Sequence, residues 1–300
     1  MWGEVNLNLT KRINQIGLTI IAEIIASLLI VSLVSANQSN SKINGTEIKL
    51  SGTANTFDLG GIQTKDNRYI KQNRLIRSDA LSALSSHDKW RLTQQHHLIV
   101  DLDFRSAGEA HQQPDKKIPH VTYHRLSVMP DPNFGVHTQR QYANQLALKH
   151  PNNMTLFYQK MVTNEHSIKA YQAMFKRLLQ QNHGAVLYHC TYGKDRTGIA
   201  TMLILSSLGV RKTTIMKNYL QSNQALKKTT HKEIIAMKKV THNRNVLANL
   251  KRSRTARRSY LTAAYTAIDQ KYGSIKHYLK IKMRLTKTDI QKLRRLYLTK

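Results

Sequence analysis

The chain has 300 residues, 40% of them hydrophobic, with 47 Lys and Arg against 17 Asp and Glu and a formal net charge of +30. This is ample for one α/β domain with a proper core, or at most two. A single cysteine excludes an internal disulfide, and 14 histidines scattered without ligand-type spacing argue against a metal or other cofactor.

The first 36 residues differ in character from the rest of the chain. Lys11 and Arg12 form a short basic region, residues 16–34 are mostly apolar, and Val34-Ser35-Ala36 supplies the small residues that suit signal peptidase. Residues 1–36 therefore read as a secretory signal peptide with cleavage after Ala36. Glu23 interrupts the apolar run, and the stretch from 24 to 34 that remains is short for a spanning helix. An uncleaved anchor is the alternative. Residues 37–44, rich in Asn and Ser, form a polar linker, and a single domain is expected over 45–300.

Within that domain short apolar runs alternate with helical stretches. A helix is expected over 89–95, a buried strand over 98–102 and a weaker strand over 121–123 with Leu126. A long helix over 154–181, broken near Asn164 and Glu165, precedes a strand at 186–188. From Thr213 onward the periodicity is helical with no convincing strand. The pattern implies an α/β fold, a mostly parallel central sheet flanked by helices with a helical C-terminal third.

The strand at 186–188 runs into His189-Cys190-Thr191-Tyr192-Gly193-Lys194-Asp195-Arg196-Thr197-Gly198, and a helix-compatible run, 199–205, leads out. Strand, five-residue turn and helix aim successive backbone N–H groups at one point, where the helix N-terminus adds partial positive charge. A phosphate dianion or a thiolate fits such a concavity. Cys190 is then a nucleophile able to form a phosphocysteine. Arg196 presents a planar fork to phosphoryl oxygens. Gly193 lets the backbone approach the ligand. Thr191, Tyr192, Lys194 and Gly198 complete the substrate-binding loop, and Thr197 is placed to give its hydroxyl to the sulfur. Asp195 is the first candidate for protonating the leaving oxygen, with the proline-flanked Asp131 as the alternative.

The decapeptide resembles the His-Cys-x-x-Gly-Lys-Asp-Arg-Thr-Gly signature of the bacterial tyrosine and lipid phosphatases, within the protein-tyrosine-phosphatase superfamily. The likeness extends to residues 55–61, where Thr-Phe stands in place of the usual Phe-Arg, and to Leu75-Ile76-Arg77-Ser78 with Leu81-Ser82. It also takes in Asp103-Phe104-Arg105-Ser106 with Glu109 and Pro114-Asp115, and, after the loop, 219–223 and 272–275. It covers roughly residues 45–298. The resemblance implies a protein-tyrosine-phosphatase fold, Cys190 as nucleophile, Arg196 as phosphate clamp, Asp195 as general acid and no cofactor. It implies activity on phosphotyrosine, in some members on phosphoserine and phosphothreonine, and on phosphoinositides. An extra loop cation, Lys194, suits a multiply phosphorylated headgroup; a solvated loop lysine is the bland reading of the same residue.

Of the upstream residues, Arg105 and Glu109 are expected to pair and fix the turn after them, and Gly60-Gly61 to make a tight turn. Asp103, at the C-terminal end of a parallel strand, is a secondary candidate for substrate binding.

The charge is lopsided. Residues 211–300 hold 24 Lys and Arg against Glu233, Asp269 and Asp289, which places +21 in the last 90 residues, densest over 251–258. Such a face attracts an anionic membrane or other polyanion, although it also suits a merely solvated surface. No aromatic residues interleave with the basic run, which argues against nucleic acid as the partner. The rival of another class is an inactive phosphate-binding module that adheres to anionic surfaces through this region. Such a module would have no use for the thiol or the Asp195 carboxylate.

Overall fold

A computed structural model of the protein describes residues 44–130, 138–150 and 152–300. The expected signal peptide, almost all of the linker and Asp131 lie outside these residues.

Six strands form one sheet among the described residues: β1 (Thr46–Glu47), β2 (Phe57–Asp58), β3 (Leu75–Ser78), β4 (Leu98–Asp103), β5 (Thr122–Arg125) and β6 (Ala185–His189), in the order β1-β2-β3-β6-β4-β5. The pairs β3–β6, β6–β4 and β4–β5 are parallel, while β1 and β2 add an antiparallel edge. The mostly parallel α/β architecture agrees with the sequence reading. Its first three strands were not foreseen, because runs of two to four residues are too short to show a period of two.

The pleat sends alternate side chains of β6 to opposite faces. Ala185 and Leu187 join Ile76, Leu92 and Leu98 in a smaller core, whereas Val186, Tyr188 and Cys190 enter the main one. The smaller core takes Leu92 from the π-helical turn Arg91–Gln95, which continues α1 (Ser86–Trp90). After β4 comes α2 (Ala107–Gln112), opened by a capping box in which Ser106 accepts from Glu109 N while the Glu109 side chain accepts from Ser106 N. Next come α3 (Gln139–Ala147), α4 (Asn153–Thr163) and α5 (Glu165–Gln180), the break at Asn164 falling where the sequence placed it.

Helix α6 (Arg196–Leu208) is buried on nearly every side, which its Ile-Ala-Thr-Met-Leu-Ile-Leu run allows; it ends at Gly209 in a left-handed conformation. The helical last third continues with α7 (Lys212–Leu220), a single turn α8 (Ser222–Ala225), α9 (Lys227–Val240), α10 (Arg244–Arg254), α11 (Arg258–Tyr272), α12 (Ile275–Ile281) and α13 (Lys287–Tyr297). Helices α3, α9 and α10 share a small core of their own, Ala143, Leu146, Met237, Val246 and Leu250, separate from the sheet.

Candidate active site

The register aligns Ser78, His189 and Asp103 at the C-terminal ends of three adjacent parallel strands. Cys190 is the next residue on the central strand, at the edge where open α/β sheets collect ligands, and it is almost fully buried. From there to Asp195 the chain makes the loop, and α6 begins at Arg196.

Three successive loop carbonyls are tied down by residues far away in sequence. Thr191 O accepts from Ala80 N at 3.3 Å, Tyr192 O from Asn55 Nδ2 at 2.9 Å and Gly193 O from Arg77 Nη2 at 2.6 Å. In a trans peptide the N–H points opposite to the carbonyl. Holding these three oxygens therefore turns the N–H groups of Tyr192, Gly193 and Lys194 the other way, into the concavity. Gly193 has φ +65, and a Cβ there would lie 2.6 Å from the Ser78 and Asp79 backbone, so only glycine lets the loop sit down on the end of β3. Asp195 occupies the N-cap of α6 without capping it, which leaves first-turn N–H groups for a ligand.

The charged groups of the loop come in pairs. Arg196 binds Glu109 through both Nη atoms, Nη2 donating to Oε1 at 2.7 Å, and Thr191 Oγ1 donates to the same oxygen at 2.8 Å. The edge of the guanidinium that carries Nε takes no part in these contacts. Burial alone would raise the Glu109 carboxyl, but Arg196 and the Ser106 N–H bring it down to about 2. Lys194, fully buried, donates to both oxygens of Asp195 at 2.7 and 2.8 Å, and Tyr158 Oη donates to Oδ1 at 2.6 Å. Tyr158 stays a phenol, because burial and the Asp195 charge push it well above its ordinary range.

A sequence profile of the tyrosine phosphatase family matches residues 48–299. The chain belongs to this family. A Cupriavidus necator protein whose name places it among the tyrosine-protein phosphatases is 32% identical over 248 residues, covering 82% of this chain and 86% of that protein. A tyrosine-protein phosphatase of Nostoc commune is 31% identical over 58% of this chain and 49% of its own length. The triple specificity protein phosphatase PtpB of Mycobacterium tuberculosis is 27% identical over 77% of this chain and 92% of its own. The protein is accordingly a phosphatase, a hydrolase of the cysteine-dependent kind.

In this phosphatase two expectations for the strand-end residues change. Arg105 does not pair with Glu109. It forks Asp103, with Nε to Oδ1 at 2.9 Å and Nη2 to Oδ2 at 2.8 Å, and also binds Asp115. Glu109 is released to hold Arg196. Asp103, read from the sequence as a substrate-binding residue, is fully buried; besides Arg105 it accepts from Tyr123 Oη at 2.8 Å. It acts as an anchor for Arg105, and its neighbours His189 and Arg105 outweigh burial to bring it down to about 2.

His189 completes this cluster, its Nε2 lying 3.3 Å from Asp101 and 3.3 Å from Asp115. Burial works against its charge, yet Asp101 and Asp103 raise its pKa well above the ordinary value. Asp101, Asp115 and His189 are the one trio among the described residues close enough to interest a cation. Arg105 already occupies Asp115, and the Leu81 N–H binds its other oxygen at 2.8 Å.

The remaining loop residues face the helices. The Tyr192 ring lies under the Arg254 guanidinium, 4.3 Å from its centroid, and its hydroxyl donates to Glu233 at 2.9 Å. Arg254 in turn binds Glu233 and Tyr142, so the separate core of α3, α9 and α10 is fastened to the Cys190 loop. Part of the basic run over 251–258 is thus spent inside the molecule. Thr197 Oγ1 is buried without a hydrogen-bond partner, and a Cβ on Gly198 would come 3.1 Å from the Tyr219 ring. Glu109, Arg77 and Asn55 carry roles in the loop that periodicity and spacing did not reveal. Only the family-like segments around them drew attention to them.

Proposed function

We propose that this phosphatase hydrolyses phosphotyrosine through a phosphocysteine formed on Cys190. The observation that carries the reading is the outward tethering of the Thr191, Tyr192 and Gly193 carbonyls, which leaves a ring of N–H donors around the thiol. The Cys190 thiolate attacks phosphorus while the bond to the tyrosyl oxygen breaks. That oxygen takes a proton from Asp195, and Arg196 holds the equatorial oxygens through its free edge. Water then attacks the phosphocysteine, giving its proton to Asp195 and releasing phosphate and the thiolate, with Thr197 giving its hydroxyl to the departing sulfur. Asp195 has to be released by Lys194 to act; a phosphoryl group arriving in the loop offers Lys194 that competing partner. Replacing Asp195 with Asn is expected to lower turnover most for poor leaving groups. Equal losses with aryl and alkyl esters would count against its role as acid.

A second reading, a phosphoinositide as substrate at an anionic membrane surface, is favoured by two observations. Lys194 sits inside the loop, and α9 exposes Ile235 and Val240 beside Lys232, Lys238 and Lys239. That mixture suits a helix lying on acidic lipid. Export through the N-terminal signal belongs to the same proposal and would put the enzyme on an extracellular or cell-surface substrate. The test is hydrolysis by residues 37–300 of a phosphotyrosine peptide and of phosphatidylinositol monophosphate in vesicles, side by side, with Cys190→Ser as control. Preference for the peptide supports the first reading and preference for the lipid the second. Activity on neither, or activity in Cys190→Ser, would overturn both.

A further inference from the structure

The loop's two cations are neutralised where they stand, Arg196 by Glu109 and Lys194 by Asp195. Behind the loop lies a third cation with a different set of neighbours. Arg77, at the end of β3, is 0% exposed. Its Nη1 donates to Asn218 O at 3.1 Å and Asn218 Oδ1 at 2.9 Å, and its Nη2 to Gly193 O at 2.6 Å and Ser222 Oγ at 2.6 Å. Nε has no partner. Every acceptor is neutral, and no ion pair with Arg77 occurs among the described residues.

The groups that face it from each side bear this out. From β2 comes the Phe57 ring, with the guanidinium carbon 5.9 Å from its centroid. From α4, β6 and α7 come Tyr158, Tyr188 and Tyr219, phenols that burial pushes up, Tyr188 to about 12. Asp79, two residues on, accepts from the N–H groups of Ala54 and Asn55 at 2.9 and 3.1 Å, and burial outweighs these bonds and raises its pKa, which favours the uncharged form. Cys190 lies two residues beyond Tyr188, the register partner of Arg77, and its negative form interacts favourably with Arg77. A guanidinium keeps its charge in proteins, and an isolated buried charge is costly.

We propose that Arg77 is the counter-charge of the catalytic loop: its buried, otherwise unpaired guanidinium stands behind Gly193 and is balanced by the Cys190 thiolate and then by the bound phosphoryl group. It acts through the loop, as a positioning and electrostatic residue that does not itself touch substrate. The proposal rests on the phosphocysteine reading, but its test does not need turnover.

Cys190 is the only cysteine in the chain, so the rate of its alkylation by iodoacetamide against pH reports the thiolate directly. In Arg77→Gln the pH midpoint of alkylation is expected to move up by about one unit, with about tenfold weaker competition by inorganic phosphate. Arg77→Lys, which keeps the charge and loses the fork, is expected to hold the midpoint within a few tenths of a unit. A second variant covers the case in which Arg77→Gln does not fold. Asn218→Asp places a carboxylate against Nη1 with Arg77 intact, and should also move the midpoint up and weaken phosphate. A midpoint unchanged in Arg77→Gln, or in Asn218→Asp where the former does not fold, overturns the proposal. So does an Arg77→Lys midpoint that moves as far as that of Arg77→Gln. If the shifts occur in a protein that hydrolyses no phosphomonoester, the counter-charge stands and the phosphatase mechanism falls.

Discussion

Two charge clusters share one edge of the sheet, a strand apart, and differ in the sign of what is left over. On the β4 side three carboxyl groups, Asp101, Asp103 and Asp115, meet one guanidinium, Arg105, and one imidazole, His189. On the loop side three cations, Arg77, Lys194 and Arg196, meet two carboxylates in ion pairs, Asp195 and Glu109, while the buried Asp79 carboxyl is held by backbone N–H groups and raised in pKa. Both clusters are buried at the C-terminal ends of parallel strands, so position alone does not make an anion site. The acid-rich cluster closes on itself and holds the turn after β4. The cation-rich one, with its N–H groups turned inward, has room for one more negative charge. The contrast explains why Asp103 and its register partner His189, at strand ends where ligands gather, are structural residues, whereas Cys190, the next residue along, faces the anion site.

The largest effect is expected at Arg196. Arg196→Lys keeps a positive charge but loses the planar fork, and turnover is expected to fall by about a thousandfold; a loss under tenfold would mean that charge alone suffices. Next is Glu109→Gln, which frees Arg196 from its bidentate partner. We expect kcat to fall about tenfold to a hundredfold, with a smaller change in KM.

The same variant has a pH signature. The Glu109 carboxyl is depressed from 4.5 to about 2, so its contribution to stability is complete above the ordinary value and is lost as pH falls through about 2. Wild type should therefore lose on the order of 3 kcal/mol more than Glu109→Gln between pH 5 and 2, measurable by urea unfolding. Equal acid sensitivity would show the pair to be energetically idle. The smallest effect on activity is expected from Asp103→Asn, which leaves Arg105 and His189 short of a partner. It should cost about 3–5 kcal/mol of stability while changing kcat/KM only a few-fold at a temperature where it remains folded. A large catalytic loss with intact stability would return Asp103 to the substrate site.

The strand, turn and helix around Cys190 were legible because they are contiguous: ten residues carry the cysteine, the arginine and the glycine in a row. The residues that shape the loop are not contiguous. Asn55, Arg77 and Glu109 reach it from 137, 116 and 87 positions away, and no local periodicity marks them. The family-like segments pointed to their neighbourhoods without giving their partners, which is how Glu109 came to be matched with Arg105, four residues before it. The long helices announced themselves by periodicity. The antiparallel edge is made of two-residue strands that no pattern could declare. The inward use of Arg254 was hidden in a basic run that reads as surface.

In the proposed mechanism Cys190, inside its ring of N–H donors, carries the phosphoryl group. The most direct measurement is a rapid acid quench of the wild-type enzyme during turnover of a phosphotyrosine peptide, then mass spectrometry of the Cys190 peptide. We predict a phosphoryl adduct on Cys190 that forms within the first turnover and is absent from Cys190→Ser. Steady hydrolysis with no adduct, or with the phosphoryl group on another residue, would contradict the account.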